Sequence, residues 1–181
     1  MEIIETKIPD VLLLKPKVYR DERGFFLETY REEQLKEKNL DVHFVQDNLS
    51  KSQKNTVRGL HYQIERQQDK LLMVMQGAIL DVAVDLRQNS PTFGEHVAME
   101  LSAENKHQMF IPKGFAHGFS VLSDDALVYY KCSDYYYPDG ERGLLWDDPE
   151  LNIDWKVTDP IISEKDQYQP RLQELKDEDL F

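Results

Sequence analysis

The chain has 181 residues, with 22 Lys and Arg against 34 Asp and Glu and a formal net charge of -12 at pH 7. With 40% hydrophobic and 10% aromatic residues it can build a packed core, so a single domain over residues 1–181 is expected and disorder is excluded. The acidic balance argues against a general polyanion-binding surface, and so against nucleic acid as the main partner, yet leaves room for a local basic pocket.

Cys132 is the one cysteine, which rules out an intramolecular disulfide and a Cys-rich zinc site and suits a reducing, cytoplasmic setting. Met1 to Asp10 mixes Glu2, Glu5 and Lys7 with isoleucines and has no secretory pattern. No apolar run approaches the roughly 18 residues that would suggest a membrane helix.

Short extended runs dominate the chain. Val11 to Leu14 is the first, followed by Phe25 to Tyr30; Arg31 to Asn39 has an amphipathic helical pattern, and Val42 to Gln46 reads as a further strand. Lys70 to Met75 and Leu80 to Leu86 read as a hairpin joined at Gln76-Gly77, where glycine supplies the positive φ of a tight turn. In the second arm Leu80, Val82, Val84 and Leu86 alternate with Asp81, Ala83 and Asp85, which places the branched residues on one face. His96 to Leu101, His107 to Ile111, His117 to Leu122 and Ala126 to Cys132 complete the series, each bounded by turn residues. A C-terminal helix is expected from Ser163, with Asp166 at capping-box spacing. The predicted class is all-β, a sandwich or barrel of the jelly-roll kind with a few peripheral helices.

Several residues can carry chemistry. His61, in Arg58-Gly59-Leu60-His61-Tyr62-Gln63, shares a strand face with Gln63 and can point into a barrel; an interior histidine with no chemical role fits the segment equally well. His117 follows a Pro/Gly turn at a strand start. His61 lacks a second histidine two residues on, Gln63 standing there instead, so a metal-free site is expected. Of Tyr129 and Tyr130 alternation lets one face inward, where a phenol is a proton donor with a pKa near ~10. For Asp166 a helix-capping role is sufficient from spacing alone, and the Asp177-Glu178-Asp179 tail reads as a solvated end.

The strings Asp21-Glu22-Arg23-Gly24-Phe25-Phe26, Phe44-Val45-Gln46-Asp47-Asn48, Arg58-Gly59-Leu60-His61, Ser90-Pro91-Thr92-Phe93-Gly94, Leu101-Ser102-Ala103-Glu104-Asn105 and Ile111-Pro112-Lys113-Gly114-Phe115-Ala116-His117-Gly118-Phe119 occur in one order. From about Ile8 to Asp166 the sequence closely resembles the dTDP-4-dehydrorhamnose 3,5-epimerase family, cofactor-independent enzymes of dTDP-L-rhamnose synthesis. The resemblance implies a cupin-like jelly roll, a homodimer and epimerisation of dTDP-4-dehydro-6-deoxy-D-glucose at C3 and C5. It further implies His61 as general base, Asp166 as its orienting carboxylate, Lys70 beside the C4 oxygen and Tyr130 as acid on the opposite sugar face. Arg23, Phe26, Glu28, Gln46, Asn48 and Arg58 match positions lining the nucleotide and sugar site, with Arg23 and Phe26 supplied by the partner subunit. His117 matches a second site histidine and Tyr136 an aromatic near the base. A sibling that inverts C5 only or C3 only, or a jelly roll that binds a nucleotide sugar without turning it over, shares most of these residues.

The residue types suit that chemistry. C3 and C5 both flank the C4 ketone, so loss of either proton gives an enolate with its charge on one oxygen, which Lys70 and Arg58 can stabilise. Neutral His61 accepts the proton near pH 7, and no cofactor is required because no electrons leave the substrate.

Overall fold

Turn residues cut the chain into short strands, and the computed structural model, which describes all 181 residues, arranges them in two facing sheets. In chain order the strands are β1 (Glu2–Glu5), β2 (Leu12–Lys15), β3 (Val18–Asp21), β4 (Gly24–Leu27), β5 (Gln46–Gln53), β6 (Thr56–Gln63) and β7 (Lys70–Gln76). They continue as β8 (Ala78–Asp85), β9 (His96–Ser102), β10 (Gln108–Ile111), β11 (Phe115–Val121), β12 (Asp125–Cys132), β13 (Glu141–Gly143) and β14 (Ile161–Ile162). Two short helices, α1 (Glu32–Lys36) and α2 (Glu164–Gln167), are peripheral. No helix is long and apolar enough to cross a membrane.

The first sheet has the order β1-β2-β10-β7-β12-β5 and the second β13-β6-β11-β8-β9, with β14 joining β6 in parallel. Between them lies a core of inward side chains, including Leu72, Val74, Met109 and Val128 from one sheet and Ile79, Ala83, Phe119 and Val121 from the other. The second sheet is buried on its outer face too: Val57, Leu60, Tyr62, Leu80, Val82 and Val84 lie under Leu144, Leu151, Trp155 and Leu172 of the C-terminal segment. Leu35 of α1 and Val42 cover Leu12, Leu14, Leu71 and Phe110 on the outer face of the first sheet.

The all-β jelly-roll expectation therefore holds, and several local expectations change. β7 and β8 are not a hairpin: β7 pairs with β10 and β12, whereas β8 pairs with β9 and β11 in the opposite sheet. Gly77 does have a positive φ of 76, but its turn carries the chain from one sheet to the other. A Cβ there would lie 2.0 Å from the Asp125 carbonyl, so glycine is needed for close packing against the β11–β12 connection. Periodicity within two strands reveals which face is apolar but not which strand is the partner.

Val42 to Val45 is irregular rather than extended; Val42 is buried against α1 and the first sheet, and the strand begins at Gln46. β5 escaped notice because its exposed face and its cavity face are both polar along most of its length. The expected Phe25 to Tyr30 strand is cut to Gly24–Leu27 and pairs with the unpredicted β3 in a separate two-stranded sheet. The Arg31 to Asn39 helix is a single turn over Glu32–Lys36 and ends at Asn39 in the left-handed region.

Candidate active site

The two sheets part around a cavity of about 890 Å³ whose wall includes Arg58, His61, Lys70, His117, Tyr130 and Asp166. His61, Lys70 and Tyr130 also line a side chamber of about 270 Å³ with Gln46, Asn48 and Tyr136. The two spaces thus meet at the same catalytic candidates.

Strict alternation would send Arg58 and His61, three residues apart, to opposite faces of β6. A register shift resolves the conflict: His117 pairs with His61, but Phe119 pairs with Arg58, so the ladder is irregular between them. Glycines permit it. A Cβ at Gly59, where φ is 105, would stand 2.6 Å from the His117 carbonyl, and a Cβ at Gly118 would stand 2.6 Å from that of Arg58.

His61 Nε2 lies 2.5 Å from Asp166 Oδ1. Asp166 is only 3% exposed; its second oxygen accepts the Gly59 N–H at 3.4 Å and its own N–H donates to Ser163 Oγ. Burial pushes the Asp166 carboxyl up, but His61, Ser163 and Gly59 outweigh it and hold the group below the usual carboxylate range. An ionised Asp166 accepts, so the Nε2 proton of His61 donates and Nδ1 is left as the basic nitrogen. Ser163 does cap α2, as its spacing predicts, yet the Asp166 side chain turns away from the capping box to the histidine 105 positions earlier.

Beside this pair sits a second. His117 Nε2 lies 2.7 Å from Asp81 Oδ1, both side chains being almost wholly buried. Burial pulls the His117 pKa down, against the opposing pull of Asp81, and keeps the ring neutral near pH 7. Asp81 is a functional candidate that the sequence did not single out: alternation put it opposite the branched residues of β8 without telling which face turns inward. The second sheet is covered on both sides, so the polar face of β8 points into the barrel.

Burial lowers the Lys70 pKa, an effect partly offset by Cys132, Asp81 and Glu141. Tyr130 faces the same space from β12, and burial raises its pKa, with Arg58 opposing; its phenol is protonated at neutral pH. Tyr129 points to the other face, near Lys131, as alternation requires. Arg58 Nε donates to Ser52 Oγ at 2.8 Å.

The side chamber has its own network. Gln46 Nε2 donates to Asn48 Oδ1 at 3.1 Å, and Gln46 Oε1 accepts the Tyr136 N–H at 2.9 Å. Tyr136 Oη donates to Glu141 Oε2, which also takes Lys165 Nζ at 2.5 Å. Burial raises the Glu141 pKa, but Lys165 and Tyr136 together bring it below the usual value. Glu141 and Lys165 were missed; the signal for Lys165 is its place beside Asp166. Arg23, Phe26 and Glu28 line neither space in the single chain. Arg23 pairs with Asp21, Glu28 with Arg31, and Phe26 is 69% exposed.

A carboxylate-backed imidazole, a buried ammonium and a phenol around one cavity in a jelly roll define an isomerase that moves protons next to a carbonyl group. The comparisons agree. The family model for dTDP-4-dehydrorhamnose 3,5-epimerase matches residues 5–174. The chain is 53% identical over 168 residues to dTDP-4-dehydrorhamnose 3,5-epimerase of Shigella flexneri, covering 92% of this chain and 93% of the relative. It is 54% identical over 167 residues to the Neisseria gonorrhoeae protein of that name, covering 92% of this chain but only 51% of that longer relative. Its structure matches that of dTDP-6-deoxy-D-glucose-3,5-epimerase from Legionella pneumophila in complex with dTDP-4-keto-L-rhamnose, with a TM-score of 0.96, 48% identity, and 99% and 96% of the two chains covered. The chain belongs to the dTDP-4-dehydrorhamnose 3,5-epimerase family and is an epimerase of dTDP-L-rhamnose biosynthesis.

Proposed function

We propose that the chain inverts C3 and C5 of dTDP-4-dehydro-6-deoxy-D-glucose, giving dTDP-4-dehydro-L-rhamnose, with its own side chains and no cofactor. The observation that carries this reading is the 2.5 Å contact between His61 and Asp166 on the wall of a cavity that also holds Lys70 and Tyr130.

His61 Nδ1 takes the proton from the carbon next to the ketone; the C–H electron pair becomes the enolate π bond and the charge moves to the C4 oxygen. Asp166 fixes the tautomer and stabilises the imidazolium that forms. Lys70 holds the developing oxyanion. Tyr130 then gives its phenolic proton to the opposite face of the carbon, inverting it, and solvent restores the phenol while His61 loses its proton. Because C3 and C5 flank the same carbonyl, one oxyanion site serves both steps.

The polar side chamber with Gln46, Asn48 and Tyr136 suits the nucleotide part of the substrate. Arg58 provides positive potential for the diphosphate on an otherwise acidic protein. The hairpin of β3 and β4, with Tyr19, Phe25 and Phe26 more than half exposed, supports a homodimer in which Arg23, Phe26 and Glu28 complete the neighbour's site. No group of three or more His, Cys, Asp or Glu side chains is arranged to hold a metal ion.

Incubation with the substrate in D2O tests the reading. Deuterium is expected at both C3 and C5, with an L-sugar product. Inversion of a single centre would replace the double epimerase by a mono-epimerase, and loss of activity on exhaustive chelation, restored by one divalent ion, would overturn the cofactor-free mechanism.

A further inference from the structure

Asp81 is fully buried on the inward face of β8. Its Oδ1 meets His117 Nε2 at 2.7 Å, and its Oδ2 is buried with no hydrogen-bond partner in the protein. An unpartnered carboxylate oxygen in an interior forfeits its hydration with nothing in return, which is costly for a charged group. A packed core would gain from an apolar residue at this point, so the position calls for a role.

Lys70 offers one. Lys70 is buried in the cavity wall and takes part in none of the chain's ion pairs. The charged or titratable groups around it are His61 on β6, His117 on β11, Tyr130 and Cys132 on β12, Asp81 on β8 and Glu141 on β13, while β10 places Ile111 opposite it. Burial raises the Cys132 thiol, so it stays neutral and supplies no counter-charge. Glu141 is already shared by Lys165 and Tyr136. His117 and His61 can only add positive charge. Asp81 is the anion left uncommitted.

We propose that Asp81 is a positioning residue with two roles, in which Oδ1 holds His117 as the Nε2–H tautomer with Nδ1 free toward the cavity, and Oδ2 supplies the negative potential that keeps Lys70 charged to meet the enolate oxygen. The inference rests on the oxyanion role given to Lys70 above and adds the group that maintains it. It also accounts for a carboxylate that His117 alone does not satisfy.

The test is Asp81→Asn, which keeps shape and can still accept from His117. Its kcat should fall at least tenfold with KM within about threefold, and the alkaline limb of the kcat–pH profile should move down by about one pH unit or more, the scale expected on losing a nearby opposite charge. In a Lys70→Met background the same change should have almost no further effect, since its target is gone. An Asp81→Asn enzyme with an unmoved alkaline limb and undiminished kcat would overturn the proposal. Lys70→Met with wild-type turnover would instead sink the oxyanion reading itself. Should Asp81→Asn fail to fold, nitrogen NMR of the wild-type protein decides whether Asp81 orients the ring. His117 must then carry its proton on Nε2, and an Nδ1–H tautomer or an imidazolium at neutral pH rejects the proposal.

Discussion

His61 and His117 stand opposite one another in the β6–β11 ladder, and each gives its Nε2 to a buried carboxylate, Asp166 and Asp81 respectively. The pairs differ in access to water. The His61 side chain is 32% exposed and that of His117 9%. A base must return its proton to solvent between turnovers, which His61 can do and His117 cannot do readily. The geometry therefore separates one histidine for proton transfer from one for positioning.

Replacing Asp166 by Asn should lower kcat by about 10² to 10⁴, because the short contact to His61 fixes the basic nitrogen and the charge that balances the imidazolium. The KM should change little, since Asp166 lies behind the base. A steady-state assay with unchanged kcat would return Asp166 to a purely capping role through Ser163.

Tyr130→Phe should separate exchange from inversion. His61, Asp166 and Lys70 remain, so the enolate still forms, while delivery of a proton to the far face slows. Substrate recovered from D2O should carry deuterium at C3 or C5 with its original configuration retained. His61→Asn should exchange at neither carbon. Normal inversion of both centres by Tyr130→Phe would make that phenol a packing group.

Much of this was legible in the sequence for physical reasons. Turn residues and alternation gave the strands and the all-β class; parity let His61 point inward and admitted one of Tyr129 and Tyr130, while the choice of Tyr130 and the site role of His117 came from the resemblance. What could not be read was pairing. The β7–β8 boundary has the turn chemistry of a hairpin, yet the chain crosses between sheets there, because sheet membership depends on long-range partners. For the same reason alternation left open which face of β8 turns inward: only the covering C-terminal segment shows that the strand is buried on both sides, with Asp81 fully buried. Asp166 could be read as a cap or as a partner of His61, and the structure makes it partly both.

Acidification should weaken the fold before any carboxylate titrates. Burial lowers the pKa of His117, and likewise of His96 and His107. For a base with a depressed folded-state pKa the unfolded chain binds the proton better, so the stability contribution is full above about 6.5 and is lost as pH falls from there through the folded-state value. Calorimetry should show Tm falling between about pH 7 and 5, with a smaller fall in His117→Gln. A flat Tm across that window would contradict the buried neutral state of these rings.

Gly118→Ala should destabilise the protein by about 1–3 kcal/mol, because the added methyl meets the Arg58 carbonyl at 2.6 Å and neither strand can retreat without breaking the ladder. Denaturant midpoints would measure it. Activity of the folded fraction should also fall, since the same irregularity turns both Arg58 and His61 toward the cavity. A variant of unchanged midpoint and turnover would show that the two strands can part there at no penalty.

The shared-site homodimer can be tested by complementation. Arg23, Phe26 and Glu28 lie on or beside the β3–β4 hairpin and line no part of their own chain's cavity, whereas His61 does. Arg23→Ala and His61→Asn should each be poorly active alone. If Arg23 serves the neighbour's site, a mixed dimer of the two variants gathers both lesions in one site and leaves the other with an intact Arg23 and an intact His61. Subunits mixed through reversible denaturation should then regain activity well above the sum of the parents. If Arg23 serves its own chain, each site in the mixed dimer keeps one lesion and no activity returns. Light scattering on the mixture must show dimers, because a fully active monomer would remove the need for any shared site.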